Sequence, residues 1–562
     1  MAIAGSGSRR RFKSKSRAKS KSQAKSNQVK PEKTALTLKE RLAEKKKRDR
    51  IRKEIISFTT FAVFFSVLIG FLIGLTIDPK AGIGTGVGVL YTSLSFRYPR
   101  HALWAFLIYL PFGGTITYAI GNNPLLQLAK DGFYIPALIG VIQYCRRERL
   151  PIIVCKPLMI PLIALLMVCF VTLLLVNGSQ QFSSGGSEQP ILLGILGLKV
   201  LIGYVPLIVC AYYLIRNKND LFFLTRLTSI LILICCGLAF VQYFFLKNGM
   251  CVGTQLEQGS DLFKASLEAR CFVGGALLYS PQHNQIRLPG TFVAPWQWGW
   301  FLISAGFLSF ACAFNDPKAR WRTIGLLAMG SVFVMSVLSG QRVALALVPV
   351  AVVLLLILTG QIANLKRFVP IAVVLGILLS LGAARNPELM QERFDSFQSR
   401  WEASPPQDFI IDQFSWVAKE QNGIFGNGLG RATNAARGLG TTKLVETYYP
   451  KVLYEIGPLG LLCFLALVTT LTFQTFKAYR SVRDRTLRSY GASFWVYVLF
   501  ISYNTYYYPL DVDPVAVYYW FFAGVVLKLP ELDRQEELDE DEDKSQRKGK
   551  KRRRLKRTGS FA

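Results

Sequence analysis

The sequence predicts an all-α fold, a polytopic bundle of about fourteen membrane helices carrying large loops on its outer face. Three observations predict it. The 562 residues are 51% hydrophobic with mean hydropathy +0.31, yet they hold 67 Lys and Arg against 35 Asp and Glu, a combination that a soluble globule does not reconcile. The charge lies outside the apolar stretches: the first 54 residues contain 20 basic and 5 acidic residues, a net +15, and Lys544–Arg557 contains 10 basic residues and no acid. Between these ends, apolar runs recur that approach the roughly 20 residues needed to cross a hydrocarbon core at about 1.5 Å per residue.

Taken in order, the runs are Ile55–Ile77, Gly82–Phe96, Leu103–Ile120, Leu125–Tyr144, Pro157–Leu175, Ile191–Ile215, Phe222–Phe245, Phe292–Phe314, Thr323–Leu338, Val343–Leu358, Phe368–Ala384, Val452–Phe473, Gly491–Ser502 and Val515–Leu527. Gly82–Phe96 is short and rich in glycine, and Val515–Leu527 is short and rich in aromatics. If both are re-entrant or interfacial, the count falls to about twelve. Charge gives an independent register, because short cytoplasmic loops are enriched in Lys and Arg. Arg97/Arg100, Arg146–Lys156, Arg216–Arg226, Lys318–Arg322, Lys366/Arg367 and Lys477–Arg488 occupy every second gap, which puts them in the cytoplasm with both termini. The gaps Gly121–Pro124, Asn177–Pro190 and Tyr507–Pro514 have few or no basic residues and face outward with the long segments Lys247–Pro289 and Arg385–Lys451. Loss of the glycine-rich span would invert every later assignment. The implied division is a basic disordered cytoplasmic tail 1–54, membrane helices 55–245, an outer loop 246–291, central helices 292–384, a large outer (periplasmic) loop 385–451, C-terminal helices 452–528, and an acidic-then-basic cytoplasmic tail 529–562.

The tails read as topology determinants attracted to anionic lipid headgroups at about 1 kcal/mol per basic residue near the surface. Nucleic-acid binding is disfavoured because a single aromatic, Phe12, is interleaved with the basic residues of the N-terminal tail. The acidic block Glu531–Asp543 ahead of Lys544–Arg557 suggests self-pairing or partner docking. Ile55–Ile77 lies behind a long basic segment and is too long for a cleavable signal, so it reads as a retained anchor. The ten cysteines form no CxxC pair and the only histidines are His101 and His283, so neither a metal site nor a cofactor is expected. Cys251 and Cys271 share the first outer loop, in a compartment that permits disulfides. Pairing and free thiols remain equal alternatives there.

Chemistry is sought among ionisable residues at the outer boundary, where burial is costly. Arg287 precedes a span within Ile286–Trp300, and Arg342 ends the four-residue link Ser339–Arg342. Both have snorkelling to headgroups as the plain alternative. In the long loop, Phe409, Ile410, Phe414 and Val417 recur at helical spacing opposite Asp412, Gln413 and Glu420, as in a helix on the membrane surface. Arg393 and Arg400 precede that helix, and Gly426-Asn427-Gly428-Leu429-Gly430-Arg431 follows it as either a turn exposing amides and Arg431 or a simple loop. The GxGxxG spacing fails at Arg431, so no dinucleotide site is expected. Glu455 falls in the first turn of a span, to pair with an outer arginine or act in catalysis, with Gly457 and Gly460 permitting close helix packing.

Together these segments resemble the O-antigen ligase and polymerase-like membrane glycosyltransferases, over roughly Ile191–Leu527. Members have an Arg-x-x-Gly-Thr-Phe entry to a middle span, as at Arg287–Phe292, and a Ser-Gly-x-Arg turn, as at Ser339–Arg342. They also have a large outer loop ending in Gly-x-Gly-x-Gly and then His-Asn-x-Tyr-Leu-x-x-Leu-x-Glu-x-Gly-x-x-Gly. The last segment matches at Tyr449, Leu453, Glu455, Gly457 and Gly460, while Glu446 stands at the histidine position and Thr447 at the asparagine. The basic N-terminal extension and the ending Pro509–Pro530 look like a cyanobacterial subgroup associated with hormogonium polysaccharide biosynthesis. The resemblance implies a metal-independent transfer or polymerisation of polyprenyl-diphosphate-linked glycan on the outer face of the plasma (inner) membrane, alongside other polysaccharide assembly proteins. It makes Arg342 and Arg287, with Arg393 and Arg431 behind them, the diphosphate binders. Glu446 becomes the general base, with Tyr449, Glu455 and His283 in support. The missing histidine equally suits an inactive member. A transporter or flippase, which would show broken helices and charges deep within spans, and a non-catalytic scaffold are the competing classes.

Overall fold

Leu38–Lys53 is built largely from Leu, Ala, Glu, Lys and Arg, all good helix formers, so the first helix starts ahead of its apolar run. In the computed structural model, α1 spans Leu38–Thr76, which corrects the expectation of a disordered tail over residues 38–54. The structure describes residues 38–121, 129–183, 188–259, 266–280, 285–362 and 405–558, together with residue 262 and scattered positions between 366 and 402. The chain divides into two units, residues 1–65 and 66–562; within the first, the described part is the leading stretch of α1.

The described residues of the second unit are predominantly helical. After α1 come α2 (Pro79–Arg97), α3 (Pro99–Tyr109), α4 (Gly113–Ile120), α5 (Ala129–Arg147), α6 (Met159–Val171), α7 (Gly178–Ser183), α8 (Pro190–Ile202), α9 (Leu207–Leu214) and α10 (Lys218–Lys247). A short antiparallel hairpin follows, β1 (Leu278–Ser280) on β2 (Gln285–Arg287), in register Leu278 to Arg287. Then come α11 (Pro295–Asn315), α12 (Ala319–Leu338), α13 (Arg342–Leu358), α14 (Pro406–Glu420), α15 (Tyr448–Ser481), α16 (Arg485–Tyr503) and α17 (Val515–Thr558).

Among the described residues, nine helical segments are long and apolar enough to cross a membrane. They include the expected aromatic-rich span at Val515, while α2, α5, α13 and α16 are helical but shorter or more polar. The expected span Phe368–Ala384 lies outside the continuously described residues. The glycine-rich stretch is helical for a packing reason: a Cβ on Gly82 would sit 2.5 Å from Gly74 Cα and from Gly70 O, so these glycines let α2 lie against the end of α1.

Two helices form the centre. Every residue of α11 from Trp298 to Asn315 is buried, as is every residue of α17 from Val515 to Val526, which is the pattern of helices enclosed on all sides by others. Charges gather the two ends of the bundle separately. At one end, Arg100 meets Asp220 at 2.6 Å, Arg226 grips Asp316 through two bonds of 2.7 and 3.0 Å, and Lys218 meets Asp484 at 2.8 Å. The acidic part of α17 joins that end. Asp533 accepts the Arg483 and Asp484 amides, Glu531 accepts Tyr212, and Glu537 pairs with Arg483. The start of the acidic block thus binds Tyr212 and the loop at Arg483 and Asp484, and the stretch expected as a C-terminal tail continues α17.

At the opposite end the weakly charged gaps and long loops meet one another. Leu288 N donates to Ser339 O at 3.0 Å, Thr291 to Pro111 O at 2.5 Å, and Trp300 Nε1 to Tyr507 O at 3.1 Å. Cys251 and Cys271 form a disulfide there, and the other eight cysteines are free. Among the described residues, the contacts named here keep the basic loops around Arg100, Lys218 and Asp316 apart from the strip around Leu288, Ser339 and Tyr507.

Candidate functional site

The residues singled out from sequence meet at this second end. Arg287 closes β2, and the Leu288–Ser339 hydrogen bond lays the turn before Arg342 directly beside it, so the two arginines leave adjacent pieces of backbone. Gln242 holds the same strip from below, donating to Cys271 O at 2.9 Å and accepting from Gly290 N at 3.1 Å. Burial pulls the Arg287 guanidinium below its ordinary pKa; Tyr507, Tyr508 and Glu446 lie near enough to oppose that shift. Glu446 is half-buried, and its amide donates to Gln413 Oε1 at 3.1 Å, which ties it to α14. Arg287, Arg342 and Glu446 therefore belong to one locality.

That locality is rich in polar atoms without protein partners. Arg287 Nε, Gln297 Oε1, Ser339 Oγ, Gln341 Nε2, Thr447 Oγ1 and Asp511 Oδ1 are all buried and unbonded, against the usual rule that buried polar groups are satisfied. Among the described residues, no group of three His, Cys, Asp or Glu side chains is placed to hold a metal ion.

Other expected residues have different tasks. Glu455 is 2% exposed, and its carboxylate accepts from Ala432 N and Thr433 Oγ1, each at 2.9 Å. The expected pairing with an outer arginine is replaced by a clamp on the glycine-rich segment. Asn427 N and Gly428 N donate to Tyr454 O and Glu455 O, and Leu429 N donates to Asn177 Oδ1, so those amides are engaged and not exposed. Arg431 is committed as well. Its guanidinium donates to Glu188, Gln180 and the Thr441 carbonyl at 2.8 to 3.0 Å, which makes it a brace for the loop and removes it from the diphosphate set. Gly457 does not pack helix on helix. With φ +68 it breaks α15 and admits Ile424 O, which a Cβ would meet at 2.1 Å; the nearest atoms to a Cβ on Gly460 belong to Ile456 one turn earlier. Tyr449 donates its hydroxyl to Ser502 O within the bundle. The helix α14 forms as expected, but Phe409, Gln413 and Val417 turn toward the protein. Arg393 and His283 lie outside the described residues.

Lys130, Asp131 and Lys199, which the sequence sets within apolar spans as charges able to line a cavity, are ion-paired, and Lys451, Asp511 and Asp513, which the sequence left without a reading, join them. Lys451 pairs with Asp511, Lys130 with Asp513, and Lys199 with Asp131 at 2.8 Å, a line of alternating charges through neighbouring elements. For the other members of the line, the spacing Asp511-x-Asp513 was the one sequence signal. Tyr507 and Tyr508 carried none.

Glu188 supplies a pH dependence. Hydrogen bonds from Thr441, then Arg431, lower its pKa to about 2. A depressed carboxylate stabilises the fold above its unfolded pKa of about 4.3, and that contribution disappears as pH falls through the folded value. Acidification from pH 5 toward pH 2 should release the loop around Arg431. Hydrogen exchange at residues 427–443 is expected to rise across that window in the native chain. In Glu188→Gln, exchange should begin high and lose this component of its pH dependence.

Comparison with known proteins returns no matching family model and no matching curated protein.

Proposed function

We propose that the chain is an outer-face membrane glycosyltransferase that transfers or polymerises polyprenyl-diphosphate-linked oligosaccharide, with both termini in the cytoplasm of a cell bounded by this plasma membrane. The observation that carries the reading is the convergence of Arg287, the Arg342 turn and Glu446 on one strip at the loop end of the bundle, among buried polar atoms that no protein group satisfies. The segregation of basic loops to the other end supports the orientation.

In this reading the diphosphate lies against the arginine forks, and a hydroxyl of the acceptor sugar attacks the anomeric carbon of the donor. The bond from that carbon to the diphosphate oxygen breaks, and the released charge is met by Arg287 and Arg342. Glu446 takes the hydroxyl proton as the new glycosidic bond forms. Removing a general base typically costs about 10²–10⁴-fold in rate. Glu446→Ala and Glu446→Gln should therefore both lose at least about 10²-fold in turnover, measured as polymer formed per lipid-linked unit. Full activity in both variants excludes Glu446 as the base.

A specific feature favours a second reading, transport of the lipid-linked sugar. The span Pro190–Leu214 is interrupted between α8 and α9, and Lys199 just before the break pairs with Asp131. Deletion of the chain separates the two: repeat units accumulate on the outer leaflet if it is the transferase and on the inner leaflet if it is the flippase.

A further inference from the structure

Tyr507 and Tyr508 occupy consecutive positive-φ positions, at +54 and +37, a region that bulky side chains rarely enter. Strained backbone of this kind persists only where its surroundings hold it in place. Here the restraints are explicit. Trp300 Nε1 donates to the Tyr507 carbonyl at 3.1 Å, Asn504 Nδ2 donates to the Tyr506 carbonyl at 3.1 Å, and Tyr506 bridges Thr447, the neighbour of Glu446. The result is an aromatic group. Tyr506 and Tyr507 meet edge to face at 4.5 Å, and Phe409 of α14 stacks over Tyr507 at 6.3 Å and 25°. Tyr507 and Tyr508 stay half-buried, beside Arg287 and Glu446.

We propose that Tyr507, with Tyr508 and Phe409, forms the sugar subsite of this locality, stacking on the apolar face of the pyranose attached to the diphosphate that Arg287 holds. A pyranose presents C–H bonds on one face and hydroxyls around its rim. An aromatic ring beside a carboxylate and a guanidinium complements both, because tyrosine combines a broad apolar face with a polar tip. The strained backbone is thus held where two successive tyrosines lie beside the arginine. The inference rests on the glycan-transfer reading above.

The test uses the full chain in lipid nanodiscs and two kinds of probe: farnesyl diphosphate, and farnesyl-diphosphate monosaccharides bearing glucose, galactose or N-acetylglucosamine. The native protein should bind at least one glycosylated probe about tenfold or more tighter than the bare diphosphate. Tyr507→Ala should abolish that preference while leaving affinity for farnesyl diphosphate unchanged, and Tyr507→Phe and Tyr507→Trp should retain it. Tyr507→Gly separates folding from recognition: it relieves the positive φ, so the melting temperature should hold or rise while the sugar preference disappears. A preference that survives Tyr507→Ala, or native protein that binds bare and glycosylated probes alike, overturns the subsite and leaves the diphosphate site standing. Native protein that binds none of the probes overturns the glycan-transfer reading itself.

Discussion

Arg342→Ala and Arg287→Ala should each reduce glycan transfer by about 10²–10³-fold, the scale observed when one preorganised donor to a developing oxyanion is removed. The expected phenotype in cells is loss of polymer with lipid-linked repeat units accumulating on the outer leaflet. The reason is geometric as well as electrostatic. Leu288 N and Ser339 O tie the two arginine-bearing turns together, and the proposed reaction sets one diphosphate against both. Lysine at either position keeps the charge and loses the planar fork, and it should recover only part of the rate. The double alanine variant should be little worse than either single one if the arginines act on one diphosphate as a unit. Normal polymer in Arg342→Ala would falsify the assignment of that residue to the mechanism.

Lys451→Ala should lower the stability of the folded chain by about 3–5 kcal/mol, because it leaves a buried carboxylate without its counter-charge. Lys451 is 4% exposed and the Asp511 side chain 12%, and the other oxygen of Asp511 already lacks a partner. Replacing both members, Lys451→Met with Asp511→Leu, should restore most of the loss, since two apolar side chains remove the uncompensated charge. Thermal unfolding of the detergent-solubilised chain followed by tryptophan fluorescence checks both expectations. A single variant that melts with the native chain would show that the pair is solvated and unimportant to the fold. The double variant should still lose activity, because Asp511 stands within reach of Tyr508 and the rest of the strip.

The two predictions depend on different kinds of information. Arg287 and Arg342 were visible in the sequence because a charge at the end of an apolar run has few places to go. Lys451 was visible only as a residue inside a motif. Its partner lies sixty positions away on the far side of two helices, and no periodicity links such residues. Glu455 shows the same limit. Its position at the start of a helix was legible, while its engagement with Ala432 and Thr433 depends on a helix break at Gly457 that brings the loop against it. Arg431 stayed open between an exposed turn and a simple loop for the same reason: nothing local reveals that Glu188 and Gln180 engage it.

What the sequence determined by itself is the helical membrane architecture, with its charge held outside the apolar runs. Lipid imposes those features locally: a backbone in hydrocarbon must satisfy its own hydrogen bonds, and each run of apolar residues answers that demand alone. What only the tertiary structure decided is which polar residues converge. It placed Arg287 beside the Arg342 turn and Glu446, committed Arg431 and Glu455 to holding the loop, and brought Tyr507 and Tyr508 to the strip. Side chains from distant segments meet only after the helices pack, and packing is set by shape across the whole bundle, so no short stretch of sequence records it.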